Sequence, residues 1–262
     1  MIRVIIPSPG YTSMLQDCID SIESQTKGTV AYEVLIVNTK TKEEDPDIAE
    51  RIKSKYPNVK TFNLGFYHFA TVNNKAVFEF YKDIDDEDML CFCNSDIEFT
   101  SDCISEMFGL AEQSRTIGTV GALLYFPDNT IQHAGIGLEP KTINCYHIGY
   151  RKRDAEMLIN SNYGLVEGNT AALMMVRCIV FRTLKGFDQD YKICFEDLDF
   201  NLRVKKVLGL NNYICYNATA YHNESSTRGR TFDMLDVWKI RAKMADFLYW
   251  KEKQKNENSS KL

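Results

Sequence analysis

Residues 91–100 read CFCNSDIEFT, and the reading of this stretch decides the fold. The apolar run MLCFC leads into Asn94, Ser95 and Asp96, and Glu98 follows between Ile97 and Phe99. A short unbroken apolar run is what a strand covered on both faces requires. A buried strand that ends in carboxylates has two readings. One is an acidic turn in which Asp96 caps the segment SDCISEMF. The other is a metal site at the carboxyl end of a sheet strand.

The flanking sequence favours a parallel sheet. RVIIP (3–7) is an apolar, β-branched run stopped by Pro7, and SMLQDCIDSIESQT (13–26) puts Leu15, Cys18, Ile19 and Ile22 on one helical face with Ser13 as N-cap. YEVLIVN (32–38) reads as a second strand, EDPDIAERIKSKYPN (44–58) as a helix with acids first and bases last, and VKTFN (59–63) as a third strand. HFATVNNKAVFEFYK (68–82) reads as a helix and DIDDED (83–88) as an acidic turn before the strand MLCFCN. Strands alternating with helices imply a parallel sheet covered on both sides, with ligands at the carboxyl ends of its strands.

The second half reads differently. GTVGALLYF (118–126) and IQHAGIGL (131–138) suggest two strands around the turn PDNT, followed by a Tyr- and Asn-rich loop. TAALMMVR (170–177) is a strand and CIVFRTL a short helix; a helix from Glu196 carries Leu198, Leu202 and Val207 and stops at Gly209. NYICYN (212–217) is a strand. From Asp233 a long amphipathic helix carries Trp238 and Trp250. The expected organisation is one domain over 1–262: a binding half (1–100), a catalytic half (101–231), and a C-terminal helix and tail (232–262).

Composition narrows the function. The 262 residues are 44% hydrophobic and 26% charged, with net charge −5 and no basic block, which argues against nucleic acid as a partner. No segment approaches the ~18 apolar residues of a membrane span, and the most apolar run, AALMMVRCIVF, is broken by Arg177. The run in MIRVIIPSPG is too short for a secretory leader and reads as a strand. The eight cysteines show no metal-knuckle spacing. Free thiols in a reducing compartment follow, hence a cytoplasmic protein, with contact to the inner face of a membrane as an option. No G-x-G-x-x-G follows the first strand, and PSPGYTSM lacks the basic glycine-rich loop of a nucleotidyltransferase.

Three polar clusters remain: Asn94–Ser95–Asp96, Glu196–Asp197 and His222. One carboxylate and one imidazole suit Mn²⁺ or Mg²⁺ when phosphate oxygens complete the coordination. Each cluster also has a plain structural reading. Asp197 suits a helix amino terminus for electrostatic reasons alone, and His222 suits packing at a strand end. His133 reads as structural or as adjacent to a bound ligand, His147 as a loop residue that touches a substrate or nothing, and His68 as part of a helix cap.

Six motifs occur in order: VIIPSPGYTSMLQDCIDSIESQT (4–26), NLGFYHFATVNNKAV (63–77), CFCNSDIEFT (91–100), YFPDNTIQHAGIGL (125–138), LKGFDQDYKICFEDLDFNLR (184–203) and YHNESSTRG (221–229). Together, over about Ile2 to Thr231, they resemble a family 2 glycosyltransferase, in particular bacterial surface-polysaccharide and rhamnosyltransferase-like members. The resemblance implies a single α/β GT-A domain, with a Rossmann-like, mostly parallel mixed sheet flanked by helices. It also implies inverting transfer of a sugar from a nucleoside-diphosphate donor, a UDP- or dTDP-sugar, to a hydroxyl of a glycan or lipid-linked acceptor.

By match, Asp96 and His222 hold Mn²⁺ or Mg²⁺, and Asn94 stands in for the first Asp of the usual motif. Asp197 is the catalytic base, with Glu196 shaping the acceptor site. Pro7, Ser8 and Gly10 line the nucleoside pocket, and Asn38, Asn73 and Ser95 contact the donor; Arg228 contacts the diphosphate or is a solvated charge. Asn38 replaces the usual base-reading Asp, and Thr39 and Lys40 alter the turn after it. The alternative is a non-catalytic nucleotide-sugar or carbohydrate-binding module on the same fold. The C-terminal helix packs on the sheet, pairs with a second copy, or lies on a membrane surface.

Overall fold

A computed structural model of the chain describes residues 1–28, 30–42, 45–153, 161–223 and 233–259. The first half alternates as β1 (Ile2–Ser8), α1 (Ser13–Gln25), β2 (Tyr32–Asn38), α2 (Pro46–Lys55), β3 (Val59–Asn63), α3 (Phe69–Lys75) and β4 (Met89–Cys93). The helix α3 runs on into a π-helical turn, Ala76–Phe80. β4, β1, β2 and β3 lie side by side and parallel, with Ile2 opposite both Tyr32 and Met89. Alternate residues of β1 face opposite ways. Val4 and Ile6 join a core with Leu15, Cys18, Ile19 and Ile22 of α1, whereas Ile5 joins a second core under α3. Burial on both faces explains the unbroken apolar runs. The N-cap of α1 is Thr12 and not Ser13: the Thr12 hydroxyl accepts from Leu15 N at 3.3 Å, and Ser13 is already helical.

The second half continues as β5 (Ile97–Phe99), α4 (Cys103–Ala111), β6 (Ile117–Tyr125), β7 (Ile131–His133), β8 (Ile136–Glu139), β9 (Asn144–His147), β10 (Tyr163–Val166), β11 (Leu173–Arg177), α5 (Cys178–Thr183), α6 (Glu196–Leu208), β12 (Asn211–His222) and α7 (Met234–Ser259). The main sheet has the order β10-β12-β6-β11-β4-β1-β2-β3, with β5 added to β12 and β7 to β6. β3, β2, β1, β4, β6 and β12 all run the same way; β11 and β10 oppose them. The architecture is therefore the expected mostly parallel mixed sheet flanked by helices. IQHAGIGL forms two short strands, not one. The chain turns at Gly135, whose φ of +101° is open to glycine, so that β7 pairs with β6 and β8 with β9.

Phe92, Phe181, Phe187 and Phe200 interlock beneath the sheet, with ring centroids 4.9–5.3 Å apart. Phe200 and Val204 of α6 face this core, while Leu198 and Leu202 pack against Ile240, Met244 and Phe247 of α7. The long helix thus covers α6. Val207 is exposed, contrary to the expectation that it shares the apolar face of α6. Leu235, Trp238 and Tyr249 lie on the outward side of α7.

Candidate active site

A cleft of about 170 Å³ opens at the carboxyl edge of β1, β2 and β4, lined by Pro7, Pro9, Thr41, Lys42, Tyr67, Asn94, Ser95 and Asp96. Its floor is built from turns. Ser8 Oγ donates to Gly10 O at 2.6 Å, and both Thr39 N and Thr39 Oγ1 donate to Ser8 O. Asn38 Oδ1 accepts from Lys40 N at 3.0 Å, which supports Lys40 at φ +51°. Thr41 N and Lys42 N both donate to Pro9 O, so the segment after β2 folds over the segment after β1.

Of the residues that the sequence assigns to the donor, Pro7, Asn94 and Ser95 line this cleft. Ser8 and Asn38, which end β1 and β2, and Gly10 in the turn after β1 are buried and are not among the lining residues. Asn73 is fully buried and its Nδ2 donates to Phe69 O within its own helix, so it braces α3 and does not reach the cleft. Arg228, with the rest of the segment 224–232, lies outside the described residues. The sequence reading missed Pro9, Thr41, Lys42 and Tyr67. They sit in irregular turns without periodicity, and only the change to Thr39 and Lys40 hinted that this wall is unusual.

The turn from β4 to β5 carries Asp96. Asn94 N donates to Ala172 O at 2.8 Å and Asn223 N to Asp96 O at 3.0 Å, and β5 pairs with β12 so that His222 stands opposite Ile97. This register delivers His222 Nε2 to 3.3 Å from Asp96 Oδ1 and 3.4 Å from Asn94 Nδ2, with both Asp96 and His222 buried. A carboxylate and an imidazole side by side are donors of the kind that Mn²⁺ or Mg²⁺ takes. Among the described residues no group of three or more His, Cys, Asp and Glu forms a metal site, so a cation here takes its other ligands from elsewhere. Glu98 is exposed on β5, across from Tyr221. CFCNSDIEFT thus sends one carboxylate in and one out.

Asp197 opens α6 just after Phe195, whose φ is +77°. It is half-buried; its Oδ2 accepts from Ala171 N at 3.1 Å and its Oδ1 from Leu198 N at 2.7 Å. Ala171 and Ala172 are consecutive, so one short stretch of backbone holds Asn94 on one side and Asp197 on the other. Buried amides fix this stretch. Asn201 Nδ2 donates to both Asp197 O and Asn169 O, Asn169 Nδ2 to Thr119 Oγ1, and Thr119 Oγ1 to Asn201 Oδ1.

Gly121 of β6 admits this network, because a Cβ there would stand 2.9 Å from Asn169 Cβ. Gly121→Ala is expected to lower stability by about 1–3 kcal/mol, measured by denaturant melting, through forced displacement of Asn169. A melt equal to wild type would mean that the network yields freely.

Glu196 is buried beside Asp197. Burial, then the charges of Glu196 and Asp197, push the neighbouring Cys194 thiol up to about 12. Burial and the charge of Asp197 likewise raise the Cys145 thiol of β9. Asp199, one turn into α6, is buried and paired with Arg203, whose Nε lies 2.7 Å from it. His133 is fully buried and supports the site from below. Its Nε2 accepts from Thr170 N at 3.3 Å, and burial, reinforced by His147 and His222, holds it neutral.

The loop ahead of Asp197 is clamped from α7. Asp236 accepts from Lys192 N, Ile193 N and Cys194 N at 2.8–3.4 Å, and Lys239 meets Asp188 at 2.8 Å. From the other side, His68 Nε2 donates to Tyr191 O at 2.7 Å.

A sequence profile described as Glycosyl transferase family 2 matches residues 3–182, from β1 into α5. The O-antigen biosynthesis protein RfbC of Myxococcus xanthus is 26% identical over 90% of this chain and 18% of its own length. Rhamnosyltransferase WbbL of Escherichia coli (strain K12) is 23% identical over 78% of this chain and 76% of its own. The chain spans a quarter or less of the length of three other matches, RfbC included. Among solved structures, GalNAc-T7 with UDP, GalNAc and Mn²⁺ superposes on 85% of this chain and 43% of its own at a TM-score of 0.65 and 12% identity, which shows the shared fold. The profile covers the strands that build the cleft and the turn that carries Asp96, and the shared fold extends beyond it: the chain belongs to glycosyl transferase family 2.

Proposed function

We propose that the chain is a metal-dependent, inverting glycosyltransferase that moves a sugar from a nucleoside diphosphate to an acceptor hydroxyl in polysaccharide assembly. The observation that carries this reading is the placement of the Asp96–His222 pair and Asp197 on either side of Ala171–Ala172. Pro7, Pro9, Thr41, Lys42 and Tyr67 form the nucleoside wall, and Lys42 adds a cation there. Asn38 is buried and its Oδ1 is engaged by Lys40 N, so base recognition passes to these wall residues. Asp96 and His222 would hold Mn²⁺, whose charge offsets that of the departing diphosphate. That a neighbour of the same fold was solved with UDP and Mn²⁺ supports this.

Asp197, fixed by two backbone N–H groups, takes the proton of the acceptor hydroxyl. The acceptor oxygen bonds to the anomeric carbon as the bond from that carbon to the phosphate oxygen breaks, and the nucleoside diphosphate leaves from the opposite face. Attack and departure on opposite faces invert the configuration. Asn94 beside Asp96, where a second carboxylate is usual, keeps a binding module without turnover as the second reading. No helix among the described residues is long and apolar enough to cross a membrane.

Thermal melts with UDP, dTDP, GDP and CDP, each with and without Mn²⁺, test the donor site. A ligand at ~100 times its Kd adds about 2.7 kcal/mol of stability. The expected result is a rise in melting temperature that requires Mn²⁺ together with UDP or dTDP. No rise with any pair would remove the donor site. A rise without sugar transfer across a broad acceptor panel would favour the binding module.

A further inference from the structure

The His222 imidazole has two nitrogens, and a cation can use only one that carries a lone pair. Gln132, on the buried strand β7, touches both the side chain and the backbone of His222. Its Oε1 lies 2.6 Å from His222 Nδ1, and its Nε2 donates to His222 O at 3.3 Å. A backbone carbonyl only accepts, so the second contact settles which end of the amide is which. Oε1 therefore accepts from Nδ1, and Nδ1 carries the hydrogen. The ring lone pair then lies at Nε2, the nitrogen 3.3 Å from Asp96 Oδ1. Nε2 faces a donor, Asn94 Nδ2 at 3.4 Å, and an acceptor, Asp96 Oδ1; the much shorter Gln132 contact at Nδ1 decides where the single hydrogen of the neutral ring sits. Gln132 is 3% exposed and His222 8%, so water does not compete for either contact.

We propose that Gln132 is a positioning residue that keeps the His222 proton on Nδ1 and so presents Nε2, beside Asp96, to a divalent cation. The role rests on the metal reading above. An imidazole without such a partner exchanges its hydrogen between the two nitrogens, and each ring holding it on Nε2 is lost to the cation. Partners of this kind tune affinity through the ligand without touching the ion.

The test uses the full chain and two variants. Gln132→Met keeps the volume and removes the amide; Gln132→Glu keeps an acceptor facing Nδ1. Nitrogen NMR of the neutral imidazole rings, without metal, is expected to show His222 as Nδ1–H in the wild type and in Gln132→Glu. In Gln132→Met, Nε2–H becomes the main form. Mn²⁺ affinity, titrated with the nucleoside diphosphate that stabilises the wild type, is expected to fall about 10- to 100-fold in Gln132→Met and to recover in Gln132→Glu. A wild-type ring that is Nε2–H overturns the proposal. So does a Gln132→Met variant with unchanged tautomer and Mn²⁺ affinity. A purely structural Gln132 would lower the melting temperature of both variants without moving the tautomer. If the tautomer behaves as expected but the wild type binds no Mn²⁺, the metal reading fails and the proton-holding role stands.

Discussion

Asp197→Asn is expected to lower turnover by about 100- to 10,000-fold, the range for loss of a positioned base, while nucleotide binding stays near wild type. The carboxylate is held by Ala171 N and Leu198 N, and neither contact belongs to the nucleoside wall. The asparagine keeps the shape and loses the proton acceptor. Its amide has one oxygen for two backbone donors, so a stability loss of about 1–2 kcal/mol accompanies the change. Initial rates with an active donor, beside a nucleotide titration of the same sample, decide the matter. Equal turnover would remove Asp197 from the chemistry. A parallel loss of nucleotide binding would mean that it acts on the donor instead.

Asp236→Ala should be nearly as damaging, although Asp236 lies far from the cleft in sequence. One buried carboxylate accepts from three successive backbone N–H groups just ahead of Glu196 and Asp197. Its removal leaves those donors without a charged partner, at a cost of about 3 kcal/mol. It also frees the loop that sets the angle at which α6 begins. The expected result is a lower melting temperature and reduced turnover, with the rise caused by nucleotide and Mn²⁺ retained. A variant that melts and turns over like the wild type would show that the packing of α7 on α6 suffices.

The parallel half of the fold was readable because burial on both faces leaves a plain mark: RVIIP, YEVLIVN and MLCFC are unbroken apolar runs. Asp96, Asp197 and His222 stand out as polar residues where regular elements begin or end, their roles come only from motifs that resemble a known family, and the register of β5 on β12 shows why His222 and Asp96 meet. Other features left no such mark. NYICYN is only the first half of β12, whose pairing slips between Cys215 and Thr219, where polar residues hide the strand. Thr12 and Ser13 are both hydroxyl residues, and only the backbone decides which one caps α1. Asp236 looks like an ordinary acid in the first turn of a helix; its partners stand more than forty residues away. Thr41, Lys42 and Tyr67 reach the cleft through turns whose shape no local pattern specifies.

Ala171 and Ala172 have a consequence for how such a protein can change. Their backbone N–H and C=O reach the two halves of the candidate site from adjoining residues, so a covalent spacer fixes the gap between Asn94 and Asp197. Side chains elsewhere can be exchanged without resetting that gap. The wall turns are then free to diverge, while the spacing between the Asp96–His222 pair and Asp197 passes unchanged from one variant to the next.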